Sequence, residues 1–338
     1  MTTHLETDRP LRWGILGPGR IAEKVAADFT HVRDGVLVAV GSRSQERATA
    51  FASRFADVAP GPIRPHGSYA DLLADDGVDA VYIATPHSEH ARNAVDTLRA
   101  GKATLVEKAF TATYAGAERV VATARETGVF AMEAMWTRFQ PAIVRMRELI
   151  ADGAIGEVRG VQADLGTRRE FDPDDRTFNL ALGGGTLLDL GVYVVSFAQM
   201  VLGDPVGVTA RGSLLPSGAD AEAGLLLDYG DGRVATLQTS FVTPSPGNAR
   251  VYGTAGWIDV PPRFHHPHEI VLHRQGRDAV TERAMPDGAG YALELDEVAR
   301  CVRAGRPESA VMPLADSLAV QRVLQDAADQ MGVAFVDS

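Results

Sequence analysis

The sequence predicts an α/β protein: a doubly wound parallel sheet in the first part of the chain, then an α+β unit on a mostly antiparallel open sheet. Three observations predict it. A short apolar run, Trp13–Leu16, is broken by Gly17 and Gly19 and followed by Ile21, Val25 and Phe29 at helical spacing. Strand-like and helix-like patterns then alternate as far as Glu133. Beyond Pro141 strand-like runs dominate, separated by turn signals such as Gly230-Asp231-Gly232.

The opening strand, turn and helix place Gly17-x-Gly19-x-x-Ala22 in the context of a Rossmann dinucleotide fingerprint, with Ala in its last place. Gly17 permits a tight turn, and Gly19 lets backbone approach a pyrophosphate. Ala22 keeps helix and strand close. The amides at the helix start, with Pro18, Arg20 and Ile21 around them, offer donors and partial positive charge to phosphates.

The next elements follow in order. Val36–Val40 reads as a strand and Ser44–Phe55 as a helix capped by Ser44. Ser68 caps a short helix through Leu72 and Leu73. Ala80–Ala84, Ala103–Val106 and Phe130–Glu133 are strands, and Ser88–Ala100 and Tyr114–Thr127 are helices. Ligands of such sheets bind beyond the carboxyl ends of the strands. That rule marks Gly17–Gly19, Ser42–Arg43, Thr85–His87, Glu107–Lys108 and the stretch near Met135.

After Pro141 a helix runs to about Asp152. Strands are expected at Val158–Asp164, Val206–Leu214, Gly224–Asp228, Val234–Ser240, Arg250–Gly253 and Ile270–His273. Helices are expected near Gly185–Val201, Leu293–Arg303 and Leu314–Gln330. The expected division is 1–135 for the nucleotide-binding domain and 136–338 for a substrate-binding and oligomerisation domain, with the last helix packing back on the first domain.

The chain has 338 residues and a net charge of −11, which argues against a nucleic-acid surface. Its single cysteine, Cys301, excludes an intrachain disulfide and reads as a helix core residue. Met1–Pro10 is polar, without the apolar stretch of a signal peptide, and no run reads as a membrane span. A cytoplasmic protein is expected.

An NAD-preferring fold places an acid at the end of the second strand, on the ribose 2′-hydroxyl. Here that strand ends Val40-Gly41-Ser42-Arg43, and Glu46 lies inside the next helix. Ser42 and Arg43, with Arg47 one turn on, suit a 2′-phosphate, so NADP is expected over NAD.

Three stretches carry a resemblance: Thr85-Pro86-His87-Ser88-Glu89-His90 through Glu107-Lys108, then Met135-Trp136-Thr137-Arg138-Phe139, then Leu182-Gly183-Gly184-Gly185 through Asp189 to Tyr193. Together they resemble the Gfo/Idh/MocA oxidoreductases, nearest the branch of dimeric dihydrodiol dehydrogenases, glucose-fructose oxidoreductase and xylose dehydrogenases. The resemblance implies NAD(P)-linked oxidation or reduction of a sugar, polyol or diol. It also implies a homodimer or homotetramer formed through the second-domain sheet. The family's Glu-Lys-Pro stands here as Glu107-Lys108-Ala109, and Asn179-Leu180 replace an Asp-Pro common in the branch.

Hydride transfer at a carbonyl needs a proton donor at the oxygen. Tyr193 and Lys108 are the expected catalytic pair, the ammonium lowering a phenol pKa that is ordinarily about 10. Asp189, four residues before Tyr193, shares its helical face; it either orients Lys108 or binds substrate, or else caps the helix near Gly185 or pairs with an exposed base. Gly183–Gly185 forms a flexible helix entry or a close backbone approach to a ligand, which the resemblance favours. Thr85, Pro86, His87 and His90 are expected as cofactor contacts and Glu107 beside them. Trp136 either covers the nicotinamide or packs in the core, and Arg138 binds phosphate or carboxamide. His265-His266-Pro267-His268 reads as a solvated loop and not a metal site, and Asp172–Arg176 as a polar loop whose place before the glycines could bring Arg176 near substrate. The rival to an enzyme is a nucleotide-sensing regulator of the same fold.

Overall fold

The structure is a computed structural model describing residues 9–338; residues 1–8, most of the polar segment expected to lack a signal, lie outside it. Six parallel strands form the first sheet: β1 (Leu11–Leu16), β2 (Gly35–Gly41), β3 (Arg64–His66), β4 (Ala80–Ile83), β5 (Ala103–Glu107) and β6 (Ala131–Ala134). Between them run α1 (Arg20–Asp28), α2 (Gln45–Arg54), α3 (Tyr69–Leu73), α4 (His87–Arg99) and α5 (Tyr114–Thr127). The strand order β3-β2-β1-β4-β5-β6 reverses between β1 and β4, opening a crevice at their carboxyl ends. Ser44, Ser68 and Thr113 each accept a backbone N–H at the start of α2, α3 and α5, as their residue types require.

The second sheet has eight strands: β7 (Val158–Gly166), β8 (Gly207–Leu214), β9 (Asp220–Asp228), β10 (Val234–Ser240), β11 (Ala249–Gly253), β12 (Gly256–Val260), β13 (Glu269–Arg274) and β14 (Val280–Arg283). Its pairs are antiparallel except β7 with β10, which run parallel at the centre. α6 (Pro141–Ala151), with Pro141 in its first turn, leads into this sheet, and α7 (Val192–Leu202) packs on it.

Three strands escape the sequence reading, each for a local reason. β3 is three residues long, contains Pro65 and lies at a sheet edge. β12 returns from β11 through Thr254-Ala255, where glycines on both sides mask the alternation. β14 is an edge strand with mostly exposed side chains. The stretch Leu180–Leu202 is long and apolar enough for a membrane span by composition, contrary to the sequence reading. However, 78% of its most apolar window is buried inside the protein, as in a core helix.

Of the last helices, α8 (Ala292–Arg303) returns to the first sheet, and α9 (Leu314–Met331) lies between β8 and α7 on one side and α5 and β6 on the other. The Asp28 carboxylate accepts from Ala289 N and Ala292 N at 2.8 and 2.9 Å, capping the approach to α8. From α9, Gln325 accepts from Tyr114 N and Gln321 donates to Ala112 O. Gln330 of α9 also accepts from Ala210 N and donates to Val208 O of β8, so α9 ties the two halves together.

Candidate active site

A cleft of about 810 Å³ runs from the glycine turn after β1 to the start of α7. Gly17 has φ of 95°, and a Cβ there would sit 3.1–3.2 Å from Thr85 and Ala84, so the turn tolerates only glycine. At Gly19 a Cβ would meet nothing closer than 3.9 Å and would project into open space. No side chain caps α1, which leaves its first amides open beside Arg20 and Ile21. This cradle fits a dinucleotide pyrophosphate.

At the cleft's far end Ser42, Arg43 and Arg47 face the space together with Tyr69. An acid is present after all, supplied from α4: buried Glu89 pairs with Arg43 Nη1 at 3.1 Å. Its sequence distance from Arg43 hid it.

Glu107 ends β5 and Lys108 follows it through a cis peptide to Ala109. His87 reaches Lys108 O at 3.2 Å and Gly183 O at 2.8 Å, while His90 reaches Ala109 O at 2.9 Å and Thr85 O at 2.8 Å. The two imidazoles therefore line the cleft and also clasp the lysine loop. Burial, then His90, Arg176 and Lys108, hold His87 neutral, its pKa pulled down to about 3. Glu107, buried, accepts from Tyr82 Oη at 2.7 Å, and burial raises its pKa.

Asp189 and Tyr193 enter from the second half of the chain. The expected continuous helix is interrupted: Leu187–Gly191 forms a π-turn before α7, a device frequent at functional sites. Both side chains face the cleft. Lys108 Nζ donates to Asp189 O at 2.7 Å and to Asp189 Oδ1 at 3.3 Å. Burial would raise the Asp189 carboxyl, but Lys108, Arg176, His87 and Arg169 hold it well below the usual range. Orientation of Lys108 is therefore the role its geometry supports.

The ammonium lies over the Tyr193 ring, 4.7 Å from the centroid. The expected lowering of the phenol pKa does not follow. Burial, then Glu107, Tyr291 and Asp189, raise it well above 10.0, and together these outweigh the cation on the ring face.

The triple glycine also differs from expectation. None of the three lines the cleft. A Cβ on Gly183 would meet His87 Cβ at 2.6 Å, and one on Gly184 would meet Asn179 N at 2.7 Å. Gly185 leaves room for Asp220, which holds Thr186 Oγ1 and Leu187 N. The glycines allow protein, not ligand, to come close.

Arg138 is a further correction. It is 2% exposed and outside the cleft. Its guanidinium donates to Gln199 Oε1 at 2.6 Å and Val311 O at 3.3 Å, and pairs with Asp316 at 2.5 Å. It ties the turn after β6 to α7 and α9. Ser196 and Gln199, polar positions on an otherwise apolar helix, were the available signal of a buried partner.

Trp136 both packs and lines the cleft: it is 8% exposed and stacks on Tyr291 at 4.3 Å, nearly parallel. The histidine loop is not merely solvated. His265 lies 5.0 Å from the Tyr193 ring and His266 lies 5.0 Å from Trp136, and both line the cleft. Burial and the nearby His266, Lys108 and Arg263 pull the His265 pKa down to about 3. Arg169 and Arg176 line it too, each an ion contact of Asp189. Sequence reading missed His265, His266, Tyr291 and Arg169, because each lies on a loop or loop–helix junction with no periodicity.

Residues 11–135 match the profile of an oxidoreductase family with an NAD-binding Rossmann fold, and residues 143–259 that of the GFO/IDH/MocA C-terminal domain. The chain is 33% identical over 333 residues to a trans-1,2-dihydrobenzene-1,2-diol dehydrogenase of Xenopus tropicalis, covering 96% of this chain and 99% of that one. It is 33% identical over 365 residues to a D-xylose 1-dehydrogenase (NADP(+)) of Hypocrea jecorina, covering 96% and 93%. The crystal structure of an aldose-aldose oxidoreductase from Caulobacter crescentus, complexed with glycerol, superposes with a TM-score of 0.85 at 26% identity, covering 95% of this chain and 97% of that one. With the glycine cradle, the two sheets and these matches together, the chain belongs to the Gfo/Idh/MocA family of NAD(P)-binding oxidoreductases.

Proposed function

We propose that this protein is an NADP-dependent oxidoreductase acting at a secondary alcohol or carbonyl of a sugar, polyol or diol, with Tyr193 exchanging the proton and Lys108 assisting. The observation that carries this reading is the meeting of Lys108 and Tyr193 in the cleft that begins at the glycine turn. When bound, the nicotinamide supplies or takes the hydride. Tyr193, neutral because burial and carboxylates raise its pKa, is in the form that donates a proton to a carbonyl oxygen. Lys108, fixed by Asp189 O and Oδ1, brings a positive charge to the side where that oxygen becomes negative. His90, within reach of Ala109 O at 2.9 Å, sits against the peptide on which this lysine stands, and His87 ties Gly183 O beside it.

NADP is favoured over NAD by Ser42, Arg43 and Arg47 at the ribose end and by the lack of an acid at the end of β2. Glu89 occupies one N–H of the Arg43 fork, leaving the others for a 2′-phosphate. The NADP(+)-linked xylose dehydrogenase relative supports the same choice.

We also propose that the outward face of the second sheet pairs with a second copy. Leu226, Val234, Tyr252 and Trp257 are exposed there, along with a shallow hollow lined by Gln162, Arg211 and Gln238. Sedimentation should show a dimer or tetramer, and Trp257→Glu should shift it to smaller species.

The test is incubation with NADPH or NADP and a panel of aldoses, ketoses, polyols and diols, following nicotinamide absorbance. Turnover on one class is expected. Tight NADPH binding with no turnover anywhere on the panel would replace the enzyme by a nucleotide-binding regulator.

A further inference from the structure

At the reacting end of the cleft three cations converge on one carboxylate. Asp189 Oδ1 lies 3.3 Å from Lys108 Nζ and 3.7 Å from Arg176 Nη2, and Asp189 Oδ2 lies 3.5 Å from Arg169 Nη2. These four groups carry two positive charges in excess, in a protein whose net charge is −11. Glu107 lines the same cleft, but its Oε1 is already taken by Tyr82 Oη at 2.7 Å.

Lys108 is committed to Asp189, but the arginines are not saturated. A guanidinium has five N–H donors in a planar fork. The Arg169 guanidinium makes one hydrogen bond among the described residues, Nη1 to Thr177 Oγ1 at 3.1 Å, and rests on the Phe241 ring at 5.0 Å. Among the described residues, the Arg176 guanidinium makes none. Their side chains are 35% and 41% exposed, and both line the cleft.

The backbone that presents them is fixed. Asp175 accepts from Thr177 N at 2.8 Å and so caps the single turn Arg176–Phe178. Gly184 N and Gly185 N donate to Asn179 O and Thr177 O, both at 2.9 Å, tying this loop to the entry of the π-turn. Two open, pre-placed guanidinium forks beside a proton-transfer pair match the planar, bidentate geometry of a carboxylate.

We propose that the substrate carries a carboxylate close to its reacting carbon, taken by Arg169 and Arg176, so that acidic sugars and hydroxy acids are bound in preference to neutral polyols. This rests on the oxidoreductase reading above and narrows its substrate class.

The test is calorimetric titration of the NADP-loaded protein with gluconate, with its neutral counterpart sorbitol, and with glucose 6-phosphate. Gluconate should bind at least tenfold more tightly than sorbitol. That ratio should fall towards one in Arg169→Gln and Arg176→Gln, and recover in part in Arg176→Lys, which keeps the charge but not the fork. NADP affinity of each variant checks that it has folded. Equal binding of gluconate and sorbitol overturns the proposal. Tighter binding of glucose 6-phosphate than of gluconate overturns the carboxylate in favour of a phosphate. Turnover is read separately. Turnover of neutral sugars without preference for gluconate leaves the oxidoreductase and removes the anion site. Preference for gluconate without turnover on any substrate leaves the anion site and removes the reaction.

Discussion

The ammonium of Lys108 rests on the face of the Tyr193 ring, 4.7 Å from its centroid, while donating 2.7 Å to the carbonyl of Asp189. The cation is thus aimed past the phenol by a residue on the same π-turn that presents the tyrosine. A lysine so held cannot swing freely, and its charge is available to a substrate oxygen without reorganisation.

That arrangement separates the roles of Lys108 and Asp189. Lys108→Met should cut kcat by roughly 10²-fold or more, the scale of removing one preorganised electrostatic donor. Asp189→Asn keeps the backbone carbonyl bond and should cost less, on the order of tenfold. Steady-state kinetics on the best substrate of the panel decide it. Equal losses would mean that Asp189 does more than orient the lysine.

Tyr193→Phe should leave NADPH affinity near wild type and reduce turnover by about 10²–10⁴-fold, the usual worth of general acid catalysis. Fluorescence titration and kinetics on the same preparation check the two halves. Unchanged turnover would remove Tyr193 from the mechanism.

The pH profile carries a related expectation. With its pKa raised well above 10.0, Tyr193 stays protonated through pH 9, so no loss of carbonyl reduction from its ionisation is expected below that. His87 and His265, both pulled down to about 3, gain charge only in strong acid. Neither should therefore produce a limb in kcat/KM between about pH 5 and 8, the window of an ordinary histidine.

Arg43→Ala should weaken NADPH more than NADH, since only the former carries the 2′-phosphate. The Glu89 partner sharpens the test. Without Arg43 the buried Glu89 carboxylate keeps, among the described residues, only the more distant Arg92, at 3.6 Å. Equal losses for the two cofactors would undo the assignment.

Arg138→Met should lower stability by about 3 kcal/mol, because it leaves Asp316 without its partner and Gln199 without its donor. NADPH affinity should hardly change. Thermal melting and cofactor titration together distinguish this from the phosphate-binding role that the sequence suggested.

Asp79 supplies an acid-sensitive clamp at the start of β1. Burial would raise its pKa, but hydrogen bonds from Arg12 and Arg9 hold it at about 2 instead of 3.8. A carboxyl lowered on folding stabilises above its unfolded pKa, and that contribution is lost as pH falls through the folded value. About 2 kcal/mol is therefore present at neutral pH and disappears between about pH 4 and 2. Asp79→Asn should remove it at pH 7 and flatten that part of the acid-unfolding curve.

The sequence by itself determined the parts that are written locally. The glycine bend after Trp13–Leu16, the alternation that makes the parallel sheet and the caps at Ser44 and Ser68 all depend on neighbours within a turn or two. So does the absence of an acid beside Ser42. Only the tertiary structure decided where long-range partners meet. Lys108 and Asp189 are 81 residues apart, Arg43 and Glu89 are 46 apart, and no spacing rule connects them. The same holds for Arg138, which the chain's order places beside the cleft and packing turns towards Gln199, and for His265, whose loop is drawn against Tyr193. Helical and strand periods record which face of an element is apolar. They do not record which element covers that face, and here the covering elements set the direction of each charge and the protonation of each acid.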